Sequence, residues 1–237
     1  TARSLPVTVR DDGGAVLTSI VAIAAGASFT CARLGDGTLR CWGDDGMGQC
    51  GDGLAGNAFT PAPAVPVSGL TGATAVSAGN DHTCALLSNG TVRCWGSAAN
   101  GRLGNDAGGA TSVATAIAVQ GEGGDGGMFT GVTAIAAGDG HTCALGPAAG
   151  IRCWGANTKG QLGTDGGTER DYPTRIPVFD RVTSISNGGS HSCATFLESS
   201  GLYVRCWGFN GFGQLGNNRL VVLPREGARG TAAHAMV

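Results

Sequence analysis

The sequence predicts an all-β protein, a β-propeller of four-stranded antiparallel blades. Three observations carry that expectation. A Cys-Trp-Gly motif recurs four times, beginning at Cys41, Cys94, Cys153 and Cys206. Glycine supplies 44 of 237 residues, against about 7% in ordinary chains. There is no Gly-X-Y period and the apolar share is 42%, so the glycines mark turns, not collagen or disorder. Finally, no segment holds a helical apolar period, whereas short runs rich in Val, Ile, Thr and Ala are repeatedly bounded by Gly, Asn and Asp, as strands are.

The motif organises the whole chain. Trp42, Trp95, Trp154 and Trp207 are all of its tryptophans, and they lie 53, 59 and 53 residues apart. Two residues before each stands an arginine: Arg40, Arg93, Arg152 and Arg205. Upstream, a second block runs from Ala25-Gly26 to Cys31, from Ala78-Gly79 to Cys84, from Ala137-Gly138 to Cys143 and from Asn187-Gly188 to Cys193. It carries His82, His141 and His191 at one register position, where the first copy has Phe29. Downstream lies a glycine loop: Gly48-Gln49-Cys50-Gly51, Gly101-Arg102-Leu103-Gly104, Gly160-Gln161-Leu162-Gly163 and Gly213-Gln214-Leu215-Gly216. A variable polar linker follows, then a segment such as Pro66-Val67 or Pro177-Val178 with which the next copy begins. Asp36-Gly37, Asn89-Gly90 and Ser200-Gly201 fall where hairpin turns are needed. The expectation is one repeat domain over 1–237, with blades at about 5–53, 61–106, 115–165 and 173–218. Residues 219–237 are read as a partial strand around 220–224 and a tail.

Taken together, the Gly-x-x-His-[Thr/Ser] block, the hairpin, the Trp-Gly and the Gly-Gln-Leu-Gly loop resemble the regulator of chromosome condensation repeat family. The resemblance implies a seven-bladed propeller, and a family whose functions run from guanine-nucleotide exchange and light sensing to inhibition of a bacterial β-lactamase. Fold is therefore implied more firmly than activity. The chain departs from the family pattern in its paired cysteines and in holding four repeats where seven would close a ring. An incomplete ring, or one closed by association, is the expected architecture.

Two cysteines flank each central hairpin: Cys31 and Cys41, Cys84 and Cys94, Cys143 and Cys153, Cys193 and Cys206. Residues opposite one another on antiparallel strands have Cα atoms about 4.5 or 5.5 Å apart, within the range a disulfide accepts. Structural zinc sites favour cysteines two to four residues apart and four converging ligands, which pairs in separate blades do not offer. Disulfides are expected here, with free structural thiols and metal as the competing uses. Oxidised pairs imply an extracytoplasmic location, secreted or at the cell surface, and within the family the chain resembles a bacterial-type secreted member. Cys50, the ninth cysteine, stands where other copies have Leu103, Leu162 and Leu215. It reads as a small buried apolar residue or as a thiol for intermolecular pairing.

No catalytic constellation stands out, because the conspicuous polar residues repeat in register whereas catalysis needs unlike groups converging in one cleft. The expectation is no enzyme and no cofactor. The three histidines read as packing and hydrogen-bonding residues, with convergence in a central channel as the alternative. The four arginines read as stacking on the tryptophans between blades, or as a ring of exposed guanidinium groups for a ligand. Acidic turns at Asp44-Asp45-Gly46, Asp52-Gly53, Asp125-Gly126 and Asp165-Gly166 invite calcium, but none matches a complete calcium-loop motif.

Net charge is −2, and the basic residues, all Arg except Lys159, are scattered. No footprint for nucleic acid or an anionic membrane results. No apolar run approaches the roughly 18 residues of a spanning helix. Thr1 opens a stretch without charged leader or apolar run, so a secreted form is expected to be mature or excised. The functional expectation is a binding module for a protein or a surface glycan, its specificity carried by inter-blade loops such as 105–119 and 164–177. The alternative is a structural subunit of an extracellular homo-oligomeric or filamentous assembly, self-associating through its terminal blades.

Overall fold

The computed structural model describes residues 4–54, 63–106, 110–124, 126–146, 150–164, 167–177, 181–217 and a final strand at 233–235. The expected strand around 220–224 and the acidic turns at 125 and 165–166 lie wholly or partly outside these residues. Among the described residues, sixteen strands form four separate four-stranded sheets. The first blade is β1 (Ile20–Ala25), β2 (Phe29–Leu34), β3 (Leu39–Gly43) and β4 (Val65–Pro66). The second is β5 (Ala73–Ala78), β6 (His82–Leu87), β7 (Val92–Ser97) and β8 (Ser112–Ala118). β9 (Ala134–Ala137), β10 (His141–Leu145), β11 (Ile151–Gly155) and β12 (Arg170–Arg175) make the third. The fourth is β13 (Val182–Asn187), β14 (His191–Glu198), β15 (Gly201–Gly208) and β16 (Ala233–Ala235). Every pairing between neighbours is antiparallel.

The sheets divide the chain later than the sequence spacing predicts. Val65–Pro66, placed by sequence at the start of a second blade, pairs with β3 and closes the first. Ile117 lies opposite Cys94, and Thr174 opposite Cys153, in the same way. The physical reason is the glycine loop: it reverses the chain only after a long excursion, so the segment beyond it returns as the outer strand of the blade just built. Likewise the tail supplies β16, with His234 opposite Arg205, to the fourth blade.

The hairpins form where expected. Leu34 N–H donates to the Thr38 carbonyl and Gly37 N–H to the Leu34 carbonyl, with Gly37 at φ 79°, the geometry of a three-residue loop ending in a left-handed residue. Asp36 Oδ1 accepts from the Thr38 N–H and hydroxyl, and Asn89 Oδ1 does the same for Thr91. The glycine after each tryptophan has φ between 100° and 109°. A Cβ there would sit 2.5 to 2.7 Å from a carbonyl oxygen of the adjoining β1–β2-type turn, so no other residue fits.

Blades stack through their innermost strands in the order β1, β5, β9, β13. The core lies between blades and not within them: three apolar clusters form, each made of the disulfide cysteines of one blade and the tryptophan of the next. Cys31 and Cys41 pack with Trp95, Cys84 and Cys94 with Trp154, and Cys143 and Cys153 with Trp207.

Candidate binding surface

One lock joins successive blades. In the second blade, the Trp95 Nε1–H and the Thr83 hydroxyl both donate to the Gln49 carbonyl of the first blade's glycine loop, each at 2.9 Å. Trp154 and Thr142 donate to the Arg102 carbonyl at 2.9 and 3.2 Å, and Trp207 and Ser192 to the Gln161 carbonyl at 2.9 Å. The indole lies so close to the loop that a Cβ on Gly51, Gly104 or Gly163 would come within 2.6 to 3.0 Å of Nε1.

The histidines complete this lock. His82 Nε2 meets the Thr142 hydroxyl at 2.9 Å, and His141 Nε2 meets the Ser192 hydroxyl at 2.9 Å. Because each hydroxyl spends its proton on a loop carbonyl, the imidazole must be the donor, so both rings are the Nε2–H tautomer. Their Nδ1 atoms are buried without a partner among the described residues. Burial holds the His82 imidazolium down to a pKa of about 3, with Arg102 and His141 adding repulsion, and that of His141 to about 4. The rings serve blade contacts and do not line the central cleft.

The expected stack of arginine on tryptophan gives way to contacts with oxygen. Arg40 donates to Asp12 at 2.7 Å and to the Ala64 carbonyl at 3.2 Å, and Arg93 to the Ala116 carbonyl at 3.0 Å. Arg152 pairs with Glu122 at 3.2 Å; Arg205 pairs with Glu198 at 2.7 Å and lies 4.9 Å from the Phe196 ring centroid. All four are half-buried, which does not describe a ring of free guanidinium groups.

All four cysteine pairs are closed disulfides between directly opposed residues, each with Cα atoms 4.1 Å apart. Seven of these eight cysteines are buried, Cys193 only partly. Cys50 is free and 2% exposed. Burial and the carboxylates of Asp45, Asp52 and Asp44 push its thiol up to about 12. It packs in the first inter-blade cluster, shielded from solvent.

The acidic turns organise backbone. Asp44 accepts from Gly46 N–H, Asp52 from Leu54 N–H, and Asp45 from Cys50 N–H at 2.8 Å. Asp45 occupies the place of Asn157 and Asn210, whose carbonyl oxygens accept from Leu162 and Leu215. Burial pushes its carboxyl up to about 6. Above that pH the charged form costs stability; below pH 3.8 the folded and unfolded chains bind the proton alike and the cost vanishes. Asp45→Asn is therefore expected to stabilise the protein by about 1 kcal/mol near neutral pH. The gain should disappear at low pH, a difference that melting curves of the two proteins at each pH will show.

At the inner end of the blades, the turns after β1, β5, β9 and β13 line a cleft of about 300 Å³. Its polar residues are Asn80, Asp139 and Asn187. Backbone bonds tie these turns together: Asn80 N–H donates to the Asp139 carbonyl and Asp139 N–H to the Gly189 carbonyl. Arg102 lies beneath, drawn toward Asp81 and Asp139. Antiparallel order puts the connections between third and fourth strands at this same end, so cleft and connections share a rim; the stretches 105–119 and 164–177, expected as inter-blade loops, instead lie within the second and third blades and hold β8 and β12, because the chain returns to pair with the blade just built. Sequence reasoning passed over these cleft residues. The signal was present: Asn80 and Asp139 fall at the varying positions between Gly and His in an otherwise repeated block, and Asn187 stands just before that Gly, where the other copies have Ala.

Fold and lock together define a class: a β-propeller whose blades are each stapled by a cross-strand disulfide. The chain belongs to the Regulator of chromosome condensation (RCC1) repeat family, whose models match residues 20–49, 73–102 and 132–161, and 36–86 and 153–195. It is similar to the ultraviolet-B receptor UVR8 of Arabidopsis thaliana, 31% identical over 83% of this chain and 43% of the receptor. It is also 32% identical to the probable E3 ubiquitin-protein ligase HERC3 of Homo sapiens, over 84% of this chain and 18% of that protein. The chain thus spans less than half the length of these relatives. Among solved structures, yeast RCC1 (Prp20) bound to Kap60 matches with a TM-score of 0.73 at 19% identity, covering 91% of this chain and 49% of that one. Human WBSCR16 matches at 0.71 and 23% identity, covering 85% and 50%. At such identities the likeness is one of fold.

Proposed function

We propose that this chain is an extracytoplasmic, non-catalytic binding module that captures a protein or a cell-surface glycan on the rim formed by the cleft and the variable loops. The cross-strand disulfide in every blade carries the reading. Disulfides form and persist in surroundings that oxidise thiols and are rare in the reducing cytosol. The rim supports it too, since a rigid repeated scaffold bearing unlike loops is how propellers present recognition surfaces. Binding of proteins is seen in the family: yeast Prp20 has been crystallised with Kap60 and characterised for binding to Gsp1p and histones.

Two measurements test this. Thiol titration of the unreduced protein should find no fast-reacting sulfhydryl while folded, one after denaturation, and nine once reduced; eight or nine in the folded protein would end the exported reading. A cell-surface glycan array and surface-protein capture with the wild type and Asn80→Ala/Asp139→Ala should show binding that falls at least about tenfold in the variant. A second reading, a structural subunit of an extracellular assembly, is favoured by the exposed apolar Ile23 and half-buried Trp42 on the first blade.

A further inference from the structure

The cleft at the inner end of the blades offers acceptors, because its donors are turned inward. The N–H groups of Gly26, Gly79, Gly138 and Gly188 each donate across their own turn, to the carbonyls of Phe29, His82, His141 and His191. Both side-chain amides in the wall already donate, Asn80 Nδ2 to the Asp81 carboxylate and Asn187 Nδ2 to the Ala136 carbonyl at 2.8 Å. Asn187 Oδ1 receives no donor among the described residues. The Asp139 carboxylate lies against Gly189, where a Cβ would come 2.6 Å from Oδ2, and it makes no hydrogen bond or ion pair among the described residues. The cation beneath, Arg102, is buried and spends itself on backbone, donating to the carbonyls of Ala99 at 2.8 Å and Asp139 at 3.4 Å. It faces two carboxylates, Asp81 and Asp139, so one negative charge is left over. Asn80 and Asp139 belong to the second and third blades, each flanked by a described blade on both sides, so this part of the wall is built without reference to either end of the sequence.

We propose that the cleft receives one cationic side chain, arginine or lysine, from a basic segment of a partner protein, with Asp139 as its counter-ion. A space of about 300 Å³ is at the small end of ligand sites, enough for one side chain or one sugar ring. The wall decides between them. A sugar hydroxyl brings acceptor lone pairs as well as a donor, whereas ammonium and guanidinium groups only donate and carry the charge that Asp139 is missing. The approach agrees with the cleft: in the described turns and connections at this end, acidic residues outnumber the two basic ones, Arg102 and Lys159, a field that draws a basic segment in.

This inference rests on the capture reading and narrows its partner from protein or glycan to a basic protein segment. The test is a nuclear magnetic resonance titration of the folded, oxidised protein with the N-acetyl amides of arginine, lysine and citrulline, the last being arginine's neutral isostere. The arginine and lysine probes should shift the backbone signals of Asn80, Asp139 and Gly189, with Kd on the order of millimolar for ligands so small. Citrulline should bind at least about tenfold more weakly, the worth of one charge pair in a half-enclosed site. Asp139→Asn keeps the shape of the side chain and removes its charge. It should retain the dispersed spectrum of the folded protein and bind arginine no better than citrulline. Arginine that leaves those signals unmoved, citrulline that binds as well as arginine, or an Asp139→Asn protein that still prefers arginine overturns the proposal. Rim-dependent capture of neutral glycans or acidic proteins would overturn it while leaving the capture reading standing; absence of any rim-dependent capture would end both.

Discussion

Trp154→Ala is expected to destabilise the protein by about 3 to 5 kcal/mol, while Trp42→Ala, at the same place in the repeat, costs about 1 kcal/mol or less in the monomer. The two residues have the same neighbours in sequence and opposite situations in space. Trp154 is fully buried, donates to the Arg102 carbonyl at 2.9 Å and meets the Phe129 ring edge-on with centroids 6.1 Å apart. Its removal leaves a cavity between the second and third blades, takes one donor from a buried carbonyl, and lets water reach the Cys84–Cys94 bridge. Trp42 is only half-buried and joins none of the three clusters between blades. Urea unfolding of each variant at low protein concentration checks this, with the midpoint reporting the loss and an unchanged slope showing that the transition stays cooperative. Equal losses at the two positions would show that the core is not where the structure puts it.

Acid should unfold this protein through its buried histidines. His82 and His141 titrate near 6.5 when unfolded but near 3 and 4 when folded. Between those limits the unfolded chain binds more protons, so stability is complete above pH 6.5 and falls as pH drops, by about 1.4 kcal/mol per pH unit for each ring. The cause is visible at Nδ1, where an added proton would be buried with no acceptor. His82→Phe/His141→Phe is expected to flatten this slope between pH 6.5 and 4. Phenylalanine fits because Phe29 already holds the same register in the first blade, where Thr83 still donates to Gln49. The double variant loses two donors to Thr142 and Ser192 and so starts from a lower stability at pH 8. Denaturation midpoints measured across the pH range separate the two effects; a slope that survives the substitutions assigns acid sensitivity to other groups.

Much of this was legible in the order of residues. Register between strands follows from hairpin turns, and Asp36-Gly37 and Asn89-Gly90 set the cysteines directly opposite one another, which is why the disulfide pairs could be read from spacing. Blade boundaries could not. Whether Val65–Pro66 starts one sheet or ends another depends on which neighbour it pairs with, and both partners offer the same alternating apolar pattern. The arginines were misjudged for a related reason: sharing a strand face with the tryptophans says nothing about which surface lies opposite, and the opposing surface supplied carbonyl and carboxylate oxygens.

By itself the sequence determined what is local and repeated: four all-β units, their hairpins, their cysteine pairs, the single position taken by Trp, and the family. Only the tertiary structure decided what each repeated residue does, because that depends on the neighbouring blade. Identical motifs give a sealed indole at Trp95 and a half-covered one at Trp42, a neutral buried imidazole at His82 and a half-exposed one at His191. The core of this protein is formed between repeats, so a residue's burial, hydrogen bonds and charge state are set by whether a blade stands next to it, and that information is carried by no single copy of the motif.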